Sequence, residues 1–189
     1  AVRELSLDRL CFVPSRISPH RSSDEYASAE DRLEMLRLAC EGSSMRGRLC
    51  VSDYEIRSQR ISYTVYTVTE FRRLLPPPDN ELYLLIGSDM LLSFDTWREY
   101  RKIMSMVTLA VVSRTDGDIS ELERKAEGLR EYGDIVISQA APVEVSSSEI
   151  RKKIAQGEDI SCCVDENVVK YIEMHGLYGN GGEGGALQY

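Results

Sequence analysis

This 189-residue chain has only two histidines, three phenylalanines and one tryptophan. His20 and His175 are far apart in sequence, which argues against a histidine-rich zinc site. The five cysteines, at positions 11, 40, 50, 162 and 163, form no Cys-x-x-Cys pair and are odd in number. They read as reduced thiols of a cytoplasmic protein, with Cys11 and Cys50 inside apolar strand-like runs. No apolar run approaches the length needed to span a bilayer. Ala1 to Leu10 carry four charges and no signal-peptide core, and read as the end of a helix with Val2, Leu5 and Leu7 on one side. Basic residues are outnumbered 23 to 31, for a net charge of −8, which excludes a general nucleic-acid or anionic-membrane surface. An anionic small ligand stays open, because a local cluster of donors is enough to hold one.

Strand and helix patterns alternate almost throughout. Arg9 to Pro14, Leu49 to Asp53, Leu82 to Ile86, Val107 to Val112 and Ile135 to Ile137 read as strands, several of them apolar on both faces. Helices are predicted from Ser28 to Gly42, with Ser28 and Asp31 as a capping box, and from Thr64 to Leu75, stopped by Pro76-Pro77-Pro78. Others are expected over Trp97–Met104, Ile119–Tyr132 and Asn167–His175, the last ended by Gly176 at C′. This order predicts an α/β fold with an open, doubly wound parallel sheet. No repeat or internal boundary is visible, so residues 1–178 read as a single domain and 179–189 as a flexible glycine-rich tail.

In such sheets ligands bind beyond the carboxyl ends of the strands. Three polar clusters fall there: Ser15 to Arg21, Gly87-Ser88-Asp89, and Ser146-Ser147-Ser148-Glu149-Ile150-Arg151. The serine run follows an apolar segment, Pro142 to Val145, and opens a helix with Ile150, Ile154 and Ala155 on one face. Two readings of it are open. One is a capped helix in which Ser147 or Ser148 satisfies its own backbone. The other is a phosphate cradle of hydroxyls, helix-start amides and the Arg151 guanidinium. Three clusters together predict a nucleotide-sized ligand.

Read in order, these segments resemble the nicotinate-nucleotide adenylyltransferase family of the nucleotidyltransferase superfamily. The resemblance rests on Phe12-Val13-Pro14 with Ser18-Pro19-His20-Arg21, Asp31 to Leu36, Ser62-Tyr63-Thr64 and Leu85 to Asp89. It continues through Phe94-Asp95-Thr96-Trp97, Val111 to Arg114, Val145 to Arg151 and Val169 to Tyr178. It implies a Rossmann-like nucleotidyltransferase fold and adenylyl transfer from ATP to nicotinate mononucleotide, giving deamido-NAD and pyrophosphate. Mg²⁺ would arrive with ATP, without a dedicated protein metal site. ATP phosphates would be held by His20, Arg21, Ser146, Ser147, Ser148 and Arg151. The mononucleotide would meet Thr64, Gly87, Ser88, Asp89, Trp97 and Arg114, with Trp97 stacked on the ring and Thr64 near its carboxylate. Each has an ordinary competitor: Trp97 a packing anchor, His20 a solvated side chain, Asp89 a helix cap, Arg114 a partner of Asp116 or Asp118.

The departures from the family are specific. Members begin with a strand and a His-x-Gly-His motif at the reacting phosphates, and this sequence contains no His-x-Gly-His. The family's first strand is expected to be missing, a piece of about 25 residues. No catalytic residue is therefore assigned, and the chain as written is expected to be an impaired catalyst. Val65-Tyr66 after Tyr63-Thr64, and Ser18 before Pro19, leave room for the amide mononucleotide as acceptor. A non-catalytic nucleotide-binding relative and an adenylyltransferase for phosphopantetheine are the competing readings. Trp97 and Ser62-Tyr63-Thr64 argue against the latter.

Overall fold

A computed structural model describes residues 2–17, 27–58, 60–112, 119–138 and 145–179. The order of elements is β1 (Leu10–Phe12), α1 (Ala29–Gly42), β2 (Leu49–Val51), α2 (Tyr54–Arg57) and α3 (Thr64–Leu74). Then come β3 (Tyr83–Gly87), α4 (Ser88–Leu92), α5 (Tyr100–Met104), β4 (Thr108–Val112) and α6 (Ile119–Leu129). The chain continues with β5 (Ile135–Ile137), α7 (Ser147–Ala155) and α8 (Glu166–Met174). All strand pairs are parallel: Cys11 faces Cys50, Leu85 faces Ala110, and Ala110 faces Val136. This is an α/β fold with parallel sheets, as the sequence pattern predicts.

The chain forms two compact units. The first comprises Ala1–Asp8 and Ile61–Glu144, the second Arg9–Arg60 and Val145–Tyr189. The strands divide with them: β3-β4-β5 form one sheet in the first unit, and β1-β2 form another in the second.

In the first unit β4 is sealed on both faces, with Leu109, Ala110 and Val111 at 1% exposure or less. Leu91, Phe94, Ile103 and Val65 are equally dry and belong to the same core. Each such side chain contributes about 1.5–3 kcal/mol by leaving water. The predicted helix from Trp97 begins only at Tyr100, because Glu99 takes a left-handed φ of 54° that breaks the helical path. The helix predicted to reach Tyr132 ends at Leu129. Gly133 then lies against the Met104 backbone, where a Cβ would come within 2.4 Å of the carbonyl oxygen. Residues 2–7 form not a regular helix but the turn that closes one. Leu7 N–H donates to Val2 O at 3.0 Å and Ser6 N–H to Arg3 O at 3.3 Å, with Ser6 at φ 51°.

In the second unit α1 packs on α8. Ser28 caps α1, its Oγ accepting the Asp31 N–H at 3.0 Å and donating to Asp31 Oδ2 at 2.6 Å. The other Asp31 oxygen accepts the Tyr171 hydroxyl at 2.9 Å, tying the two helices together. Asp165 caps α8 through the Asn167 N–H at 2.9 Å. The same turn-closing pair of bonds ends α8 at Gly176, φ 59°, where glycine carries no Cβ penalty. Ile160, Val168 and Ile172 form the small buried cluster of this unit.

Candidate functional site

The sequence-predicted residues separate by unit. Ser146, Ser147, Ser148 and Arg151 lie in the second, and Thr64, Gly87, Ser88, Asp89 and Trp97 in the first. His20, Arg21 and Arg114 lie outside the described residues, as does most of the predicted strand before Val145.

The two readings of the serine run are divided among its members. Ser146, not Ser147 or Ser148, is the cap of α7. Its Oγ accepts the Glu149 N–H at 3.1 Å, and Glu149 Oε2 accepts the Ser146 N–H at 3.2 Å, a reciprocal capping box. The Ser146 hydroxyl also donates to that carboxylate at 2.9 Å, so its hydrogen bonding is committed within the helix. Ser147 and Ser148 occupy the first helical turn and are exposed. Arg151, one turn on, donates from Nη2 to Ser148 Oγ at 3.2 Å. The helix start therefore presents two hydroxyls and a guanidinium from one face, with the partial positive charge of the helix dipole behind them.

Ser147 and Arg151 line a cavity of about 800 Å³ within the second unit. Ser15, beyond β1, and Arg32, on α1, line it too. Its remaining walls are mostly apolar side chains of α1, α7 and α8. Arg32 is held by carbonyls: Nη2 donates to Ser15 O at 2.6 Å and Nε to Ala27 O at 3.3 Å. Two arginines, Arg32 and Arg151, and one carboxylate residue, Asp165, line this cavity in a chain whose net charge is −8, a local excess of positive charge that suits an anionic ligand. Arg32 is not among the sequence-predicted site residues, although it lies in the Asp31 to Leu36 segment that carries the resemblance.

The first unit brings together an aromatic and cationic group. Trp97 ends a short 3₁₀ turn over Phe94–Thr96 and is half-buried, its ring 5.1 Å from Phe94 and tilted 41°. Arg98 lies with Cζ 4.9 Å from the Tyr63 ring centroid and 5.7 Å from that of Tyr66. Those rings meet edge to face at 6.1 Å. Tyr63 is the N-cap position of α3 and Thr64 its first residue, and no side chain caps this helix. The Arg98–Tyr63 contact thus carries the Trp97-Arg98 segment to the start of α3. Arg98 and Tyr66 were not among the predicted residues. Arg98 follows Trp97 in sequence, but only the folded chain shows which rings it covers. Gly87 ends β3 and is the N-cap position of α4, with Ser88 and Asp89 following. Asp89 is exposed and does not occupy the cap position.

Among the described residues no three or more His, Cys, Asp or Glu converge as a metal cage.

A cytidylyltransferase-like family profile matches residues 1–153. A probable nicotinate-nucleotide adenylyltransferase of Desulfatibacillum aliphaticivorans is 33% identical, over 93% of this chain and 88% of the relative. The protein of that name from Rhodopirellula baltica is 36% identical over 94% and 83%. The solved nicotinic acid mononucleotide adenylyltransferase of Plasmodium falciparum, complexed with NaAD, superposes with a TM-score of 0.68. It is 20% identical, over 94% of this chain and 90% of that one, and so supports the fold alone. The chain belongs to the cytidylyltransferase-like family and, within it, to the nicotinate-nucleotide adenylyltransferases.

Proposed function

We propose that the chain transfers an adenylyl group from ATP to nicotinate mononucleotide, releasing pyrophosphate and forming deamido-NAD. An oxygen of the mononucleotide phosphate forms a bond to the α-phosphorus while the α–β phosphoanhydride bond breaks. Such a reaction needs positioning and charge neutralisation rather than a covalent intermediate. The observation that carries the reading is the grouping of Trp97, Arg98 and Thr64. A planar ring, a cation and an uncapped helix start are the three features that a planar aromatic acid would use. The names of the relatives point to the same acceptor.

In this reading Ser147, Ser148 and Arg151 hold the β- and γ-phosphates and then the departing pyrophosphate, with Arg32 as a second cation on the cavity wall. Ser146 acts through the helix, by fixing its start. Trp97 stacks on the pyridine ring, and Arg98 supplies a counter-charge that favours the acid over the amide. Gly87, where the strand ends, lets ligand approach closely, with Ser88 and Asp89 beside it. His20, Arg21 and Arg114 are proposed as further phosphate or carboxylate contacts. Mg²⁺, where it arrives with the triphosphate, would supply further charge neutralisation for the leaving pyrophosphate. The hydroxyl and guanidinium donors here suit a metal ligated by phosphate oxygens and water.

Among the described residues no helix is long and apolar enough to cross a membrane, and the free thiols fit a reducing cytoplasm. The second reading is nucleotide binding without turnover. Pyrophosphate release from ATP with nicotinate mononucleotide, nicotinamide mononucleotide or phosphopantetheine tests both. The first reading expects the acid to react fastest. Faster turnover of phosphopantetheine would overturn it, and ATP binding without any turnover would favour the second.

A further inference from the structure

Between α7 and α8 the chain makes a tight turn that carries Cys162 and Cys163 side by side. The turn is pinned on both sides of the thiols. Asp159 accepts the Ser161 N–H at 2.8 Å and the Ser161 hydroxyl at 2.8 Å. Cys163 N–H donates to the carbonyl of buried Ile160 at 2.8 Å, and Asp165 caps the helix that follows. The two sulfurs are 3.5 Å apart. Cys162 is exposed, while Cys163 is half-buried and lines the cavity that Ser147 and Arg151 also line.

That spacing is poorly suited to a disulfide, whose sulfurs sit about 2.05 Å apart and whose Cα atoms are usually about 4.4–6.8 Å apart. Adjacent Cα atoms across a trans peptide are only about 3.8 Å apart. A single bridging atom fits better. Two sulfur bonds of about 2.3 Å meeting at about 100° span about 3.5 Å. No third protein ligand converges among the described residues, so the bridging centre must bring its own remaining ligand. The other cysteines are less accessible: Cys40 is buried, and Cys11 and Cys50 are half-buried, facing each other on paired strands, whereas Cys162 is exposed.

We propose that Cys162 and Cys163 form a two-thiolate chelating site for a soft, thiophilic centre of the trivalent-arsenic class, and that filling it disables the ATP cavity. With an organic arsenic oxide, two S–H bonds break, two arsenic–sulfur bonds form, and the oxide oxygen leaves as water. No electrons are transferred. The chelate stands on the thiol geometry alone, whereas the inhibition rests on the ATP reading above.

The test titrates the full chain with phenylarsine oxide and reads intact mass and ATP affinity. One adduct per chain is expected at equimolar reagent. It should resist excess monothiol about 10²-fold better than a one-thiol adduct and be released by a dithiol. ATP affinity should fall at least tenfold and recover on release. In Cys162→Ser and Cys163→Ser the adduct should be lost to monothiol, while Cys11→Ser and Cys50→Ser should keep it. A monothiol-resistant adduct in either of the first two variants, or one mapped to Cys11 and Cys50, overturns the site. A stable adduct with unchanged ATP affinity overturns the inhibition. If the untreated chain binds no ATP, the ATP reading fails, and the adduct measurements still decide the chelate.

Discussion

In the first unit β4 is sealed on both faces, and Leu91, Phe94, Ile103 and Leu109 are fully dry. In the second, Ile160, Val168 and Ile172 form a small buried cluster, and the half-buried Met35, Leu36, Ile150 and Ile154 line the adjoining cavity. The proposed site residues follow the same contrast. Trp97 and Thr64 stand on a dense core, so their positions are set by packing, which suits the flat ring they are proposed to recognise. Ser147, Arg151 and Arg32 stand around a cavity, held by caps and hydrogen bonds, which suits the charged, extended ligand proposed for them.

The largest effect expected is on the packed side. Phe94→Ala removes a ring at zero exposure and should cost about 3–5 kcal/mol of unfolding free energy. Ile172→Ala in the small cluster should cost less, about 2–3 kcal/mol, because fewer buried groups surround the deleted methyls. Urea denaturation of the two variants checks this, and equal losses would break the contrast. Next, Arg151→Ala should weaken ATP binding by about 1.5–3 kcal/mol, the worth of charge-assisted hydrogen bonds, with the mononucleotide unaffected. Trp97→Ala should weaken the mononucleotide by about 1 kcal/mol, read as a raised KM for the acceptor with that for ATP unchanged.

Ser146→Ala sharpens the comparison within one helix. Loss of the capping box should lower stability by about 1 kcal/mol, whereas Ser147→Ala should leave stability nearly unchanged and weaken ATP binding instead. Thermal melts set beside ATP titrations separate the two. The smallest effect is pH-dependent. The Ser28 hydroxyl, then that of Tyr171, hold the Asp31 carboxyl below its ordinary value. A carboxylate depressed in the folded state stabilises above its unfolded pKa, and that stability is lost as pH falls through the folded one. Wild type should therefore lose slightly more melting temperature than Asp31→Asn as pH is lowered through the acid range. The difference is small because Asp31 is largely solvated.

Much of the fold was legible because its signals are local. Apolar runs mark the five strands among the described residues, Pro76 and Gly176 mark two helix ends, and Ser28 marks a helix start. Two signals misled. Trp97 to Met104 carries helical residues throughout, yet Glu99 turns left-handed so that Tyr100 and Trp97 can both reach Phe94. The capping reading of the serine run points to Ser147 or Ser148, whereas the reach of Glu149 three residues later makes Ser146 the cap. The site was legible where a residue type is unusual, as at Trp97, or where hydroxyls meet a helix start. Arg32 and Arg98 were not, since a guanidinium acquires its role from carbonyls and rings distant in sequence: Ser15 for one, Tyr63 and Tyr66 for the other.

Crossed equilibrium titrations test most directly whether the proposed ATP contacts and the proposed mononucleotide contacts are separate sets of residues. ATP and nicotinate mononucleotide are each titrated into wild type, Arg151→Ala and Trp97→Ala. Arg151→Ala is expected to lose ATP affinity alone and Trp97→Ala mononucleotide affinity alone. Equal losses for both ligands in either variant, or losses exchanged between them, would contradict that separation.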